Sequence, residues 1–253
     1  MCKKLILILL VLLLFSVSAF ADPFILAEDW GEDIVELYDE EDPSLGTFRY
    51  SYRYPHIDES EEDGDGINEF YDYLINNELD FYIEMARDSF VEGVNSTTVI
   101  TYTVTCNTDD YFSVLIRQDE DTSDRSRTFW EGHVFLRNDP NPGFTNTLPQ
   151  YLGILETAET DEWLQGRQTD KADALIREMV WNMIEENKEG ISYSADFTED
   201  TLSSVFFPEE DFYLDADGEP VFFLQPGDVY DVVPEGAELI TFPISREDIL
   251  DEL

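Results

Sequence analysis

The chain has 253 residues, 43% of them hydrophobic and 14% aromatic, which is enough for a packed core and too aromatic for a disordered acidic polymer. Its 58 acidic residues against 14 basic ones give a formal charge of −44, which excludes nucleic acid as a partner because phosphates must be neutralised by lysine and arginine. An anionic membrane surface is disfavoured on the same ground. A cationic partner would instead be drawn in at a rate that falls with salt.

The first 21 residues read as a secretory signal. Lys3 and Lys4 precede an apolar run from Leu5, and Ala19 and Ala21 offer small residues for a cut before Asp22. The run is shorter than the roughly 20 residues of a spanning helix, so the only membrane attachment expected is a signal that stays uncleaved. Cys106 is then the one cysteine left. It sits in an apolar–polar alternation as a small core residue, and no internal disulfide forms.

Residues 22–46 form an acidic leader with one helical turn expected at Ile34–Leu37. Residues 47–253 read as one α+β module with subdomains at about 47–138 and 144–253, divided by the breaker cluster Asn138–Gly143. The stretch 47–54 alternates with period two and puts Phe48, Tyr50, Tyr52 and Tyr54 on one face of a strand. Those rings serve either the core or stacking on sugar. A helix is predicted over 67–88, then strands at 97–106, 111–117 and 127–136. The clearest helix covers 169–188, where Ala172, Leu175, Ile176, Met179, Val180, Met183 and Ile184 make one apolar stripe. Thr198 opens a short helix ended by Pro208, and a hairpin follows over 212–224. A last strand at 238–242 leads to a terminal turn capped by Ser245 and Asp248. Without regular strand–helix alternation, the pattern predicts antiparallel sheets packed against two main helices.

The chemistry-bearing motifs are few. With Gly66 at the sixth position of a calcium loop, Glu61, Asp63, Asp65, Glu69 and Asp72 fall on ligand positions. The competing reading is a solvated loop entering a helix, since position eight is Asn68 and position twelve is not glutamate. Asp215-x-Asp217-Gly218 is explained by hairpin chemistry alone. His56, read as an exposed turn residue, and His133 are the only histidines, too few for a histidine-built zinc site. There is no nucleophile elbow and no phosphate loop. Carboxylate pairs are too numerous to be diagnostic, so no enzymatic activity is expected.

The strand 48–55, the helix opening at Ile67–Asn68 and the C-terminal pattern carry a resemblance. That pattern is Phe212-Tyr213-Leu214, Gly218, Val221, Phe223, Pro226-Gly227-Asp228, Gly236 and Pro243. Residues 45–252 resemble the extracytoplasmic pair of domains of unknown function found in lysozyme-sensing bacterial anti-sigma factors. The same pair forms the non-catalytic N-terminal region of a peptidoglycan deacetylase. The family's Gly-Gly-Ala-His-like run is reduced here to Glu131-Gly132-His133, and its Pro-Tyr-Glu is replaced by Pro226-Gly227-Asp228. The resemblance implies a secreted binding or sensing module at the bacterial cell envelope, whose ligand is a cationic, lysozyme-like protein or a wall glycan. Trp130, His133 and Tyr213 are the candidate ligand contacts. A hydrolase using a carboxylate pair and a calcium-stabilised structural protein are the alternatives.

Overall fold

The computed structural model describes residues 23–27, 32–37, 42, 46–61, 64–123, 125–137, 144–154, 162–186, 193–194, 196–230, 233 and 237–253. The expected signal, Asp63 and the breaker 138–143 lie outside them. A five-stranded sheet runs in the order β1 (Glu32–Leu37), β2 (Phe48–Arg53), β3 (Ser96–Asn107), β4 (Tyr111–Thr122), β5 (Ser126–Leu136). A smaller sheet holds β6 (Phe212–Leu214), β7 (Pro220–Leu224) and β8 (Ile240–Pro243). Two long helices, α1 (Asp65–Glu92) and α3 (Glu162–Glu186), join four short ones: α2 (Leu148–Leu152), α4 (Glu199–Val205), α5 (Pro226–Val229) and α6 (Arg246–Glu252). The class is α+β, and no helix among the described residues is long and apolar enough to cross a membrane.

One expectation is extended and one corrected. The sheets are antiparallel-rich as expected, and β2 with β3 adds a parallel pair to them. A strand–helix–strand passage through α1 brings the chain back to the end where β2 began, and only a parallel partner results. The expected helical turn at Ile34–Leu37 is part of β1, which pairs antiparallel with β2. Four residues cannot nucleate a helix against the hydrogen bonds offered by an open strand edge.

The large sheet is covered along one face and at one end of the other, which creates two cores. On one face the alternation of β2 buries Phe48, Tyr50 and Tyr52, with Tyr54 just beyond, against Ile100, Phe112, Val114, Ile116 and Phe135. Ile67 and Tyr71 of α1 close this face. The tyrosine row is therefore core and not a sugar platform. On the other face Cys106 and Val134 meet the small sheet, onto which α3 lays Ala172, Ile176, Val180 and Ile184. Burying each such side chain stabilises the fold by about 1.5–3 kcal/mol. Burial also pushes the Cys106 thiol up, as suits an inert core residue.

Three contacts lock the sheets together. The Leu214 amide donates to the buried Ser113 hydroxyl at 3.0 Å. The Gln225 side chain donates to the Trp130 carbonyl at 2.7 Å and accepts from the Trp130 amide at 3.1 Å. At Gly132 the backbone of Phe212 crosses so closely that a Cβ would lie 1.8 Å from its carbonyl oxygen.

Candidate functional site

A cleft of about 630 Å³ opens along the free edge of β5, within the size range of ligand pockets. Strand alternation places Phe129, Glu131 and His133 on one face of β5. The first turns of α1 bring Phe70 and Leu74 over that face, and the turn before β6 supplies Glu209, Glu210 and Asp211. Apart from His133 and the phenol of Tyr54, every ionisable side chain among the described residues of this lining is a carboxylate. The strand edge itself is covered. Gln225 engages Trp130, while the Asn146 amide donates to the Val134 carbonyl and its side-chain oxygen accepts from Leu136. Two side-chain amides and the Asn146 backbone thus stand in for a sixth strand.

His133 is deeply buried at the back of the cleft, its side chain 3% exposed. Its Nδ1 lies 3.1 Å from the hydroxyl of Tyr71, itself fully buried in the core. Burial raises the Tyr71 phenol well above its ordinary range, and Glu131 adds to the effect, so the hydroxyl stays protonated and can donate to Nδ1. A neutral imidazole that accepts at Nδ1 carries its proton on Nε2. Nε2 faces Glu131 Oε1 at 3.1 Å, without the straight alignment of a full hydrogen bond. The imidazole holds the Glu131 carboxyl below the usual carboxylate range, although that side chain remains 66% exposed.

Asp211 behaves oppositely. Burial pushes its carboxyl up to about 6, tempered by the Phe207 amide that donates to Oδ2 at 2.7 Å. Asp173 on α3 is also raised to about 6, by burial first and then by Glu209, with only Arg177 at 3.5 Å in compensation. A carboxyl held at about 6 when folded binds its proton more tightly in the native state, so this group's contribution is lost as pH climbs from the ordinary value through about 6. Asp173→Asn is therefore expected to stabilise the protein by about 1–2 kcal/mol at about pH 8. Urea unfolding at about pH 4 and about pH 8 checks it: the gain should vanish at the lower pH.

Of the sequence candidates, Trp130 and His133 line the cleft. Tyr213 does not, because it stacks on Phe223 with centroids 6.3 Å apart. Asp65, Glu69 and Asp72 sit on the first two turns of α1, which begins at Asp65. Loop positions five to twelve are thus helical and cannot wrap an ion. Asn68, moreover, is committed to the backbone of Ile57 at 2.8 and 2.9 Å. Among the described residues no three His, Cys, Asp or Glu side chains are grouped to hold a metal. Asp215 accepts from the amides of Asp217 and Glu219, the hairpin role expected of it. His56 is half-buried and not exposed, since the backbone of Ala27 donates to its carbonyl at 2.9 Å. Glu131 was legible as a partner of His133, two residues away on one strand face. Tyr71, Phe70 and Asp211 come from distant segments and carried no such signal.

No family model matches the sequence, and no curated protein is similar to it. Structural neighbours of the chain are DUF3298 family proteins. One, from Bacteroides fragilis, has a TM-score of 0.45 at 13% identity, with 90% of this chain and 91% of that one covered. Another, from Pseudomonas aeruginosa, has a TM-score of 0.46 at 14% identity, with 90% and 94% covered. That family is one of unknown function, and likenesses of this size place no ligand, anti-sigma role or deacetylase role on the chain.

Proposed function

We propose that the chain is an exported, non-catalytic binding module that takes a cationic segment of another protein into the cleft beside β5. The observation that carries this reading is the lining: four carboxylates over apolar walls, with no lysine or arginine among its described residues. A lysine or arginine would lay its aliphatic stem on Phe70 and Leu74 and its charge against the acids. The overall charge of −44 supports fast, steered encounter with such a partner. The sequence resemblance to lysozyme-sensing proteins points to the same kind of ligand. Sugar stacking is less well served, because Arg127 lies over the Phe129 ring at 4.7 Å and Arg117 over Trp130 at 5.7 Å.

The test is calorimetric titration with a basic lysozyme. Affinity is expected to fall about tenfold or more between about 50 mM and about 200 mM salt. Absence of binding at low salt, or binding to purified peptidoglycan that salt does not weaken, would remove this reading in favour of a neutral ligand. One observation favours a hydrolase instead: Glu131 and Asp211 share a cleft with carboxyls displaced in opposite directions. Turnover of wall fragments that disappears in both Glu131→Gln and Asp211→Asn is the result that reading requires.

A further inference from the structure

Three groups run from the core through the cleft to solvent: the Tyr71 hydroxyl, the His133 imidazole and the Glu131 carboxylate. We infer that Glu131 is the anchoring carboxylate of the cleft, and that Tyr71 and His133 position it to take a hydrogen-bond-donating cation, a lysine ammonium or an arginine guanidinium. This deepens the cation-binding reading above and rests on it.

Glu131 sits between two anchored residues, Trp130 tied by Gln225 and Gly132 pressed against Phe212. Its Cα has little freedom, so only the side-chain torsions remain to be set. His133 sets them from beneath. Tyr71 takes up Nδ1 and leaves Nε2 buried 3.1 Å from Oε1, close enough to attract the carboxylate without an aligned hydrogen bond. The imidazole ring is itself held edge-on by Phe70, with centroids 5.3 Å apart and planes at 84°. A carboxylate drawn toward the imidazole through one oxygen leaves the other for a guest above. Asp211 is less suited to this task, because the Phe207 amide already occupies its Oδ2 and the group serves the turn. A preorganised acceptor of this kind favours a guest that donates N–H bonds over one that offers charge alone.

The experiment uses the whole protein with two probes, pentalysine and the same peptide trimethylated at every side-chain nitrogen. Trimethylation preserves the charge and removes the donors, and it would strengthen binding if the aromatic walls alone formed a cage. Pentalysine is expected to bind about tenfold tighter than its trimethylated form. Glu131→Gln, an exposed isosteric change, should lower pentalysine affinity about tenfold and erase the discrimination between the probes. Tyr71→Phe should lower it about threefold, and the ring-nitrogen NMR signals of His133 should leave the Nε2-protonated tautomer. A merely structural tyrosine would not move that tautomer. Equal binding of both probes, or pentalysine binding unchanged in Glu131→Gln, would overturn the inference and leave the cation-binding reading intact. Failure of both peptides to bind would remove the two together.

Discussion

Gly132→Ala is expected to lower the unfolding free energy by about 3 kcal/mol. The added methyl would stand 1.8 Å from the Phe212 carbonyl oxygen and 2.7 Å from its carbon. Both atoms belong to a backbone, so no side-chain rotation relieves the overlap. The strain must be released by moving β6 away from β5. That movement would pull the Leu214 amide from Ser113 and leave a buried donor unsatisfied. It would also shift the Glu209–Phe212 wall of the cleft, so pentalysine affinity should fall together with stability. Gly166 is the control. It lies inside α3 with nothing within 4 Å of its would-be Cβ, so alanine there should stabilise by about 0.5–1 kcal/mol. Urea midpoints of the two variants should move in opposite directions. A Gly132→Ala protein within about 0.5 kcal/mol of the parent would mean that the two sheets do not meet as described.

Phe112→Ala is expected to cost about 3–5 kcal/mol. Phe112 is wholly buried near the start of β4, opposite Asn107 and Phe135. It meets Phe24 edge-on at 5.7 Å and Phe135 at 6.2 Å. Phe24 is fastened there by Asn107, whose side chain accepts from its amide at 2.8 Å and donates to its carbonyl at 3.0 Å. The guanidinium of Arg137 lies over the other side of the ring, 3.8 Å from its centroid. Removing Phe112 therefore empties a cavity and loosens the segment 23–27. A double-mutant cycle with Phe24→Ala should show about 1 kcal/mol of coupling between the two rings. Additive losses would indicate that the N-terminal segment is not packed on the sheet.

These two variants mark where local pattern stops being informative. Helix α3 and the β2 row of aromatics were readable because periods of 3.6 and 2 are imposed by the backbone itself. The caps were readable for a similar reason: Thr198 and Ser245 accept from amides three residues on, as local geometry requires. Strand β1 was not, because EDIVEL pairs only when the edge of β2 is already present. The parallel pairing of β2 with β3 likewise depends on where α1 packs, and no residue in either strand announces it.

The cleft divides along the same line. Glu131 and His133 are two residues apart on a strand, so sequence alone put them on one face, with Trp130 beside them. The acidic excess, the α+β class and the single core cysteine were also set before folding. Only the tertiary structure brought Tyr71 from a helix 62 positions away to the imidazole, set Glu209–Asp211 opposite β5 and removed Tyr213 to a stack with Phe223. Local order follows from torsions and periodicity. Which distant groups share a dry pocket follows from how two sheets and two helices bury their apolar faces, a sum over the whole chain that no short stretch contains.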